Sequence, residues 1–256
     1  MLNYRIYGAL TEHTTPLVVL HGLLGSLDNW HTFATRYAHT QPIIAMDMRN
    51  HGNSPHVVGM TYQLMVEDIL ATLHHLGIKQ CDLMGHSMGG KASMVLATQN
   101  PELVQRLIVV DIAPYTYRPR LQNLLHAMNT LPLATLKNRK QADEHLSTVV
   151  TSAFERGFLL KNLSRQSDGT FKWLCNLPEI TRNYLKITGF PALNPSYTAP
   201  VLEIAGKQSD YVTEETWATI QALFPQARLE YIEEAGHLPH VQTPDLFEQL
   251  VRDFLG

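Results

Sequence analysis

Cysteine is scarce: the 256 residues contain two, Cys81 and Cys175. Without a CxxC pair or an even, closely spaced set, the chain has no disulfide framework and no thiolate metal knot. Two buried thiols in a reducing compartment are expected instead. Charge is scarce as well. Asp, Glu, Lys and Arg make up 17% of the chain, against about 25% in an average globular domain. Twenty basic and 23 acidic side chains leave a net charge of −3. Nothing in that balance draws the molecule to nucleic acid or to anionic lipid, so neither is expected as a partner. No apolar run approaches the roughly 20 residues of a membrane span. The opening Met1-Leu2-Asn3-Tyr4-Arg5 is polar where a secretory signal needs an apolar stretch. A cytoplasmic, membrane-free protein is therefore expected. What the chain does have is 45% apolar residues and enough length to bury a core without staples.

Those apolar residues alternate between two patterns. Leu17-Val18-Val19-Leu20, Ile43-Ile44-Ala45-Met46 and Leu107-Ile108-Val109-Val110 are short continuous runs, and Val201 to Ala205 resembles them with Glu203 inside. Such runs suit strands buried on both faces. Tyr4 to Tyr7 and Arg228 to Ile232 alternate polar with apolar and suit edge strands. Between the runs, Tyr62, Met65, Val66, Ile69, Leu70, Leu73 and Leu76 recur at helical spacing before Gly77. Leu246, Phe247, Leu250, Val251, Phe254 and Leu255 do the same after Thr243-Pro244, an N-cap and first-turn pair. Strands alternating with helices predict an α/β fold with a mostly parallel sheet covered on both faces.

The rhythm breaks between residues 115 and 195, where no strand pattern is evident. Helices are expected over 121–131, 143–151 and 153–163. This span reads as a helical cap inserted between two strands, leaving a core of residues 1–114 and 196–256.

Gly85-His86-Ser87-Met88-Gly89 follows an apolar strand, Cys81 to Met84, and precedes a helix that Pro101 stops. Strand, tight turn and helix are the setting in which a serine hydroxyl is thrust above a sheet as a nucleophile. The glycines two residues either side let the turn close. In that setting the N–H of Met88 serves as an oxyanion donor. A second donor must come from another loop. Leu20-His21-Gly22-Leu23-Leu24-Gly25 supplies one, with Leu23 as the favoured N–H and Leu24 as the alternative. Gly236-His237 lies between the last strand and the last helix. His237 is the expected general base, since imidazole titrates near neutrality; His240 is its rival.

These landmarks, together with Asp47-Met48-Arg49-Asn50-His51-Gly52-Asn53-Ser54, resemble those of the α/β-hydrolase family over the whole length. Arg49-Asn50-His51-Gly52, Lys91 after the elbow glycines, and Val110-Asp111-Ile112-Ala113-Pro114 look most like the small YbfF-type carboxylesterases. The resemblance implies a serine carboxylesterase acting on small-molecule acyl esters, or acyl thioesters, with no metal or organic cofactor. It also implies a cap over the site and a preference for short acyl chains. Perhydrolase or C–C bond hydrolysis on the same site, or a slow-turnover ligand receptor, are the alternatives. A monomer and a dimer are both compatible with the sequence.

Two carboxylates compete to be the acid of the triad. In most of the family the acid follows the strand after the cap, where this chain reads Gly206-Lys207-Gln208-Ser209-Asp210 and places Ser209 at the usual spacing. In the YbfF-type enzymes it follows the strand after the elbow helix, which matches Asp111. Asp111 is favoured and Asp210 is the alternative. Lys91 opposes the dipole of the elbow helix, so a nearby carboxylate is expected to pair with it; attraction of an anionic substrate is the other reading. Asp47 and Arg49 read as a loop-bracing pair. Tyr62, Tyr115, Tyr117, Phe154, Phe158 and Trp173 are candidates for an acyl pocket or for cap packing.

Overall fold

The computed structural model describes residues 1–11, 13–194 and 197–256. The chain opens with β1 (Tyr4–Tyr7), β2 (Leu17–Leu20), α1 (His31–Tyr37), β3 (Ile43–Met46) and α2 (Tyr62–His75). Next come β4 (Cys81–His86), α3 (Met88–Gln99) and β5 (Val104–Val110). An insertion follows, made of α4 (Gln122–Thr130), α5 (Arg139–Leu146), α6 (Ala153–Leu159), β6 (Leu163–Arg165), β7 (Phe171–Trp173) and α7 (Leu177–Thr188). The chain then returns as β8 (Val201–Gly206), α8 (Glu214–Leu223), β9 (Ala227–Ile232), α9 (Pro239–Gln242) and α10 (Pro244–Leu255).

Seven strands form one sheet in the order β1-β3-β2-β4-β5-β8-β9. All neighbours run parallel except β1, which is antiparallel to β3. Every residue of β2, β3 and β4 is buried, as a strand covered on both faces must be. Side chains alternate between two packing layers. Leu17, Val19, Ile43, Ile108 and Val110 pack with Phe33 and Tyr37 of α1 and Phe247 and Val251 of α10. Val18, Leu20, Ile44, Leu107 and Val109 join Met65 and Ile69 of α2 and Val95 of α3 on the opposite face. The polar alternation of β1 and β9 places them at the two edges.

The helix boundaries have local causes. The Thr61 hydroxyl accepts the Leu64 N–H at 3.3 Å and starts α2, which Gly77 ends at φ +69°. At α10 the expected cap differs: the Thr243 hydroxyl donates to the Pro239 carbonyl at 3.0 Å instead, and Leu246 points into solvent, 40% exposed.

The insertion departs from the all-helical expectation. Its strands β6 and β7 form an antiparallel hairpin. Three residues per strand are too few to display alternation in the sequence. The one readable signal is Asp168-Gly169: Gly169 sits at φ +87°, and the Asp168 carboxylate accepts the Thr170 N–H at 2.9 Å. The helix expected over 143–151 lies earlier, as α5, because Asn138 caps it through the Gln141 N–H at 3.0 Å. The helix expected over 153–163 ends at Leu159 and gives way to a 3₁₀ turn before β6. The proposed boundary at residues 195 and 196 falls outside the described residues.

Candidate active site

The turn from β4 into α3 occupies one residue. Ser87 has φ 51° and ψ −115°, a conformation an L-residue holds at a cost of about 1–3 kcal/mol. The turn closes because its flanks carry no side chains. A Cβ at Gly85 would lie 2.3 Å from the Gly89 carbonyl oxygen, and one at Gly89 would lie 2.6 Å from that of Leu20.

The Ser87 hydroxyl reaches His237 Nε2 at 3.1 Å. His237 Nδ1 lies 2.7 Å from Asp111 Oδ2. An ionised carboxylate only accepts, so Nδ1 carries the proton and Nε2 is left to accept the serine proton. Asp111 follows β5 at φ 52° and is fully buried. Its Oδ1 accepts the Gly206 N–H at 3.0 Å, and its Oδ2 also accepts the Ser209 hydroxyl at 2.5 Å. Asp210, the alternative acid, is turned away and paired with Arg120 at 2.5 Å on the surface. Ser209 thus occupies the customary acid position and supports a carboxylate delivered from the neighbouring strand.

His240, the rival base, is buried and stacked on Trp30, ring centroids 4.4 Å apart. Burial, reinforced by the His237 charge, pushes it down to about 3. The loop bearing His237 is held from below and from the side. His86 Nε2–H donates to the His237 carbonyl at 2.7 Å. Tyr211 stacks on the His237 ring, 4.1 Å between centroids and 24° from parallel. A Cβ at Gly236 would meet only the Gln242 side chain at 3.6 Å. The steric constraint lies across from it, where a Cβ on Gly206 would sit 2.1 Å from the Gly236 carbonyl oxygen.

In the loop after β2, Leu24 has φ 58° and donates its N–H to His51 Nε2 at 3.1 Å. That engagement occupies the Leu24 N–H. Leu23 and Met88 both line the cavity that contains Ser87 and His237. His51 and His21 are structural acceptors. His21 Nε2 takes the Met48 N–H at 2.9 Å. Burial brings His21 down to about 4 and His51 to about 3, so both are neutral near pH 7 and can accept.

The expectations about two sets of charged groups need correction, and a third group was missed. Asp47 and Arg49 do not pair. Asp47 accepts the Leu27 N–H at 2.7 Å and the Asn53 N–H at 2.9 Å, while Arg49 pairs with Asp68 at 2.7 Å. Both brace the 47–54 loop, with different partners. Among the described residues no carboxylate pairs with Lys91: its Nζ donates to the carbonyls of Tyr115 at 2.8 Å, Thr188 at 2.9 Å and Gly189 at 2.9 Å. With those bonds made, the ammonium is not free for an anionic substrate. Glu203 was passed over, although a lone acid inside an apolar strand was the available signal. It is fully buried on β8; its Oε1 accepts the Ile112 N–H at 3.3 Å and its Oε2 has no partner among the described residues. Burial, and then the neighbouring Asp111 charge, push its carboxyl well above the ordinary range.

The cavity over Ser87 has a volume of about 890 Å³. Tyr62, Tyr117, Phe154 and Phe158 line it, whereas Tyr115 and Trp173 do not. Trp173 packs inside the insertion, its Nε1–H donating to the Met128 carbonyl at 3.1 Å. Cys81 and Cys175 are free and buried. Among the described residues no helix is long and apolar enough to cross a membrane.

Residues 15–244 match the family model of the α/β-hydrolase fold. The chain is 41% identical over 264 residues to an sn-1-specific diacylglycerol lipase of Xenopus laevis, covering 99% of this chain and 83% of that protein. It is 36% identical over 257 residues to the esterase YbfF of Escherichia coli strain K12, covering 100% and 99%. The solved structure of a marine microorganism esterase superposes with a TM-score of 0.93 at 35% identity, covering 99% of this chain and 98% of that one. The chain belongs to the α/β-hydrolase family and is a carboxylic ester hydrolase.

Proposed function

We propose that the protein is a serine carboxylesterase working through an acyl-enzyme. The observation that carries this reading is the continuous hydrogen-bond chain from Ser87 through His237 to Asp111. Ser87 Oγ attacks the ester carbonyl carbon while its proton passes to His237 Nε2. Asp111 stabilises the imidazolium and keeps the ring in the required tautomer. The oxyanion is held by the N–H groups of Leu23 and Met88. Collapse breaks the bond to the leaving alcohol or thiol, which takes the proton from His237. Water then releases the acid by the same route. Every proton and electron pair in this cycle is handled by protein groups and water, so the cycle calls for no metal or organic cofactor.

Residues 115–195 act as a cap. Phe154, Phe158 and Tyr184 from that segment line the same cavity as Ser87, which supports the assignment. At about 890 Å³ the cavity lies near the top of the roughly 300–1,000 Å³ common for small-molecule sites. We therefore extend the expectation of short acyl chains to chains of medium length, and the diacylglycerol named for the Xenopus relative is the first lipid to offer. The test is a p-nitrophenyl ester series from acetate to decanoate, with diacylglycerol in parallel. Ser87→Ala should lower kcat by on the order of 10⁴–10⁶ with folding intact, and an organophosphate should label the parent at Ser87 and spare the variant. A folded Ser87→Ala protein that kept more than a few per cent of the activity would overturn the reading.

A further inference from the structure

Lys91 lies on the first turn of α3, four residues after Ser87, and its backbone N–H donates to the Ser87 carbonyl at 3.0 Å. Its side chain is 2% exposed. The ammonium has three N–H donors, and three carbonyls receive them: Tyr115, Thr188 and Gly189. Tyr115 lies where the chain leaves the sheet for the cap. Thr188 and Gly189 lie where the cap's last helix ends. The two crossings are also joined directly, since the Tyr117 N–H donates to the Thr188 carbonyl at 3.0 Å. The ammonium rests 4.9 Å from the centre of the Tyr117 ring.

A buried lysine without a carboxylate is costly, and the macrodipole of α3 adds to the cost. Burial accordingly brings Lys91 down to about 7. A carboxylate would satisfy the charge better but would tie it to one side chain. Backbone carbonyls instead tie it to the path of the main chain at both crossings.

We propose that Lys91 latches both hinges of the cap to the nucleophile helix and so sets the length of acyl chain that the pocket holds. The proposal rests on the esterase reading for its substrate but not for the latch itself. Lys91 is a positioning residue. It lines the same cavity as Ser87, but its three donors are taken by the Tyr115, Thr188 and Gly189 carbonyls, so it acts through the placement of the cap-borne wall, including Tyr184 and Phe158.

The test compares the parent with Lys91→Met, which keeps the stem and removes the donors, and with Lys91→Gln, a milder variant that retains two donors should the first be too unstable to purify. Hydrogen exchange reads the latch independently of activity. Amides of residues 115–121 and 186–190 should exchange at least about tenfold faster in the variants, with β2 to β5 unchanged. Kinetics read the consequence: the ratio of kcat/KM for p-nitrophenyl octanoate over acetate should fall about fivefold or more, through KM for octanoate rather than kcat. Unchanged hinge exchange, or an equal loss on both esters, would overturn the proposal. A parent protein inactive on both esters would count against the esterase reading alone, while the exchange result would still judge the latch.

Discussion

Asp111 and Asp210 differ in what surrounds the carboxyl. Asp111 is buried and receives three hydrogen bonds, from His237, Gly206 and Ser209. Asp210 is exposed, with a surface guanidinium as its partner. Exposed pairs of that kind contribute about 0–1 kcal/mol. Asp111→Asn should therefore lower kcat on the order of 10²–10⁴-fold, by loss of the His237 tautomer and of imidazolium stabilisation. Asp210→Asn should cost less than about tenfold. Both variants are to be assayed from pH 6 to 9 with folding checked by circular dichroism. The reverse ranking would return the acid to the turn after β8. The sequence favoured Asp111 through its resemblance to the YbfF-type pattern and kept Asp210 as the alternative, because the choice depends on which carboxylate the His237 loop meets in space, and there it meets Asp111.

Among the strands, β8 carries the anomaly. Its apolar run is what a parallel strand covered on both faces requires, and Glu203 interrupts it. With Oε2 unpartnered among the described residues and burial raising its affinity for protons, the folded state favours the neutral carboxyl. The sign follows from linkage. The folded state keeps a proton that the unfolded chain releases above its ordinary carboxylate range. Stability is therefore greatest below that range and falls as pH rises. Glu203→Gln stays neutral at every pH, so it should gain on the parent as pH rises. The difference in stability between the two proteins should widen from pH 5 to pH 8 in urea unfolding. Equal pH dependence in the two proteins would mean that Glu203 does not titrate in this window. The cap elements behave differently. Their helices are amphipathic and were partly legible, but β6 and β7 were not, since a three-residue strand is stabilised by its partner and its turn rather than by a pattern of its own.

Over the whole molecule, four buried histidines share one property. His21 and His51 brace the oxyanion loop, His86 braces the His237 loop, and His240 packs on Trp30. Burial lowers all four. The unfolded chain takes up these protons from about pH 6.5 downwards, while the folded protein resists until about 4 for His21 and about 3 for His51 and His240. Their contribution is complete above pH 6.5 and is lost as pH falls towards 3–4, at about 1 kcal/mol per histidine per pH unit. Denaturant unfolding should show a clear drop between pH 7 and 5, and a flat profile there would contradict it. The sequence by itself determined the alternation of buried strands and helices, the turn that exposes Ser87, and the position of His237 after the last strand. Each of these rests on side-chain periodicity or on glycine at a tight turn, both local properties. Only the tertiary structure decided the partner of His237, the partner of the Leu24 N–H in the loop after β2, and the partners of Lys91. Those depend on the loop after β3 meeting the loop after β2, on β8 pairing beside β5 and on the cap crossing back over α3, and contacts between residues 24 to 126 positions apart leave no local pattern to read.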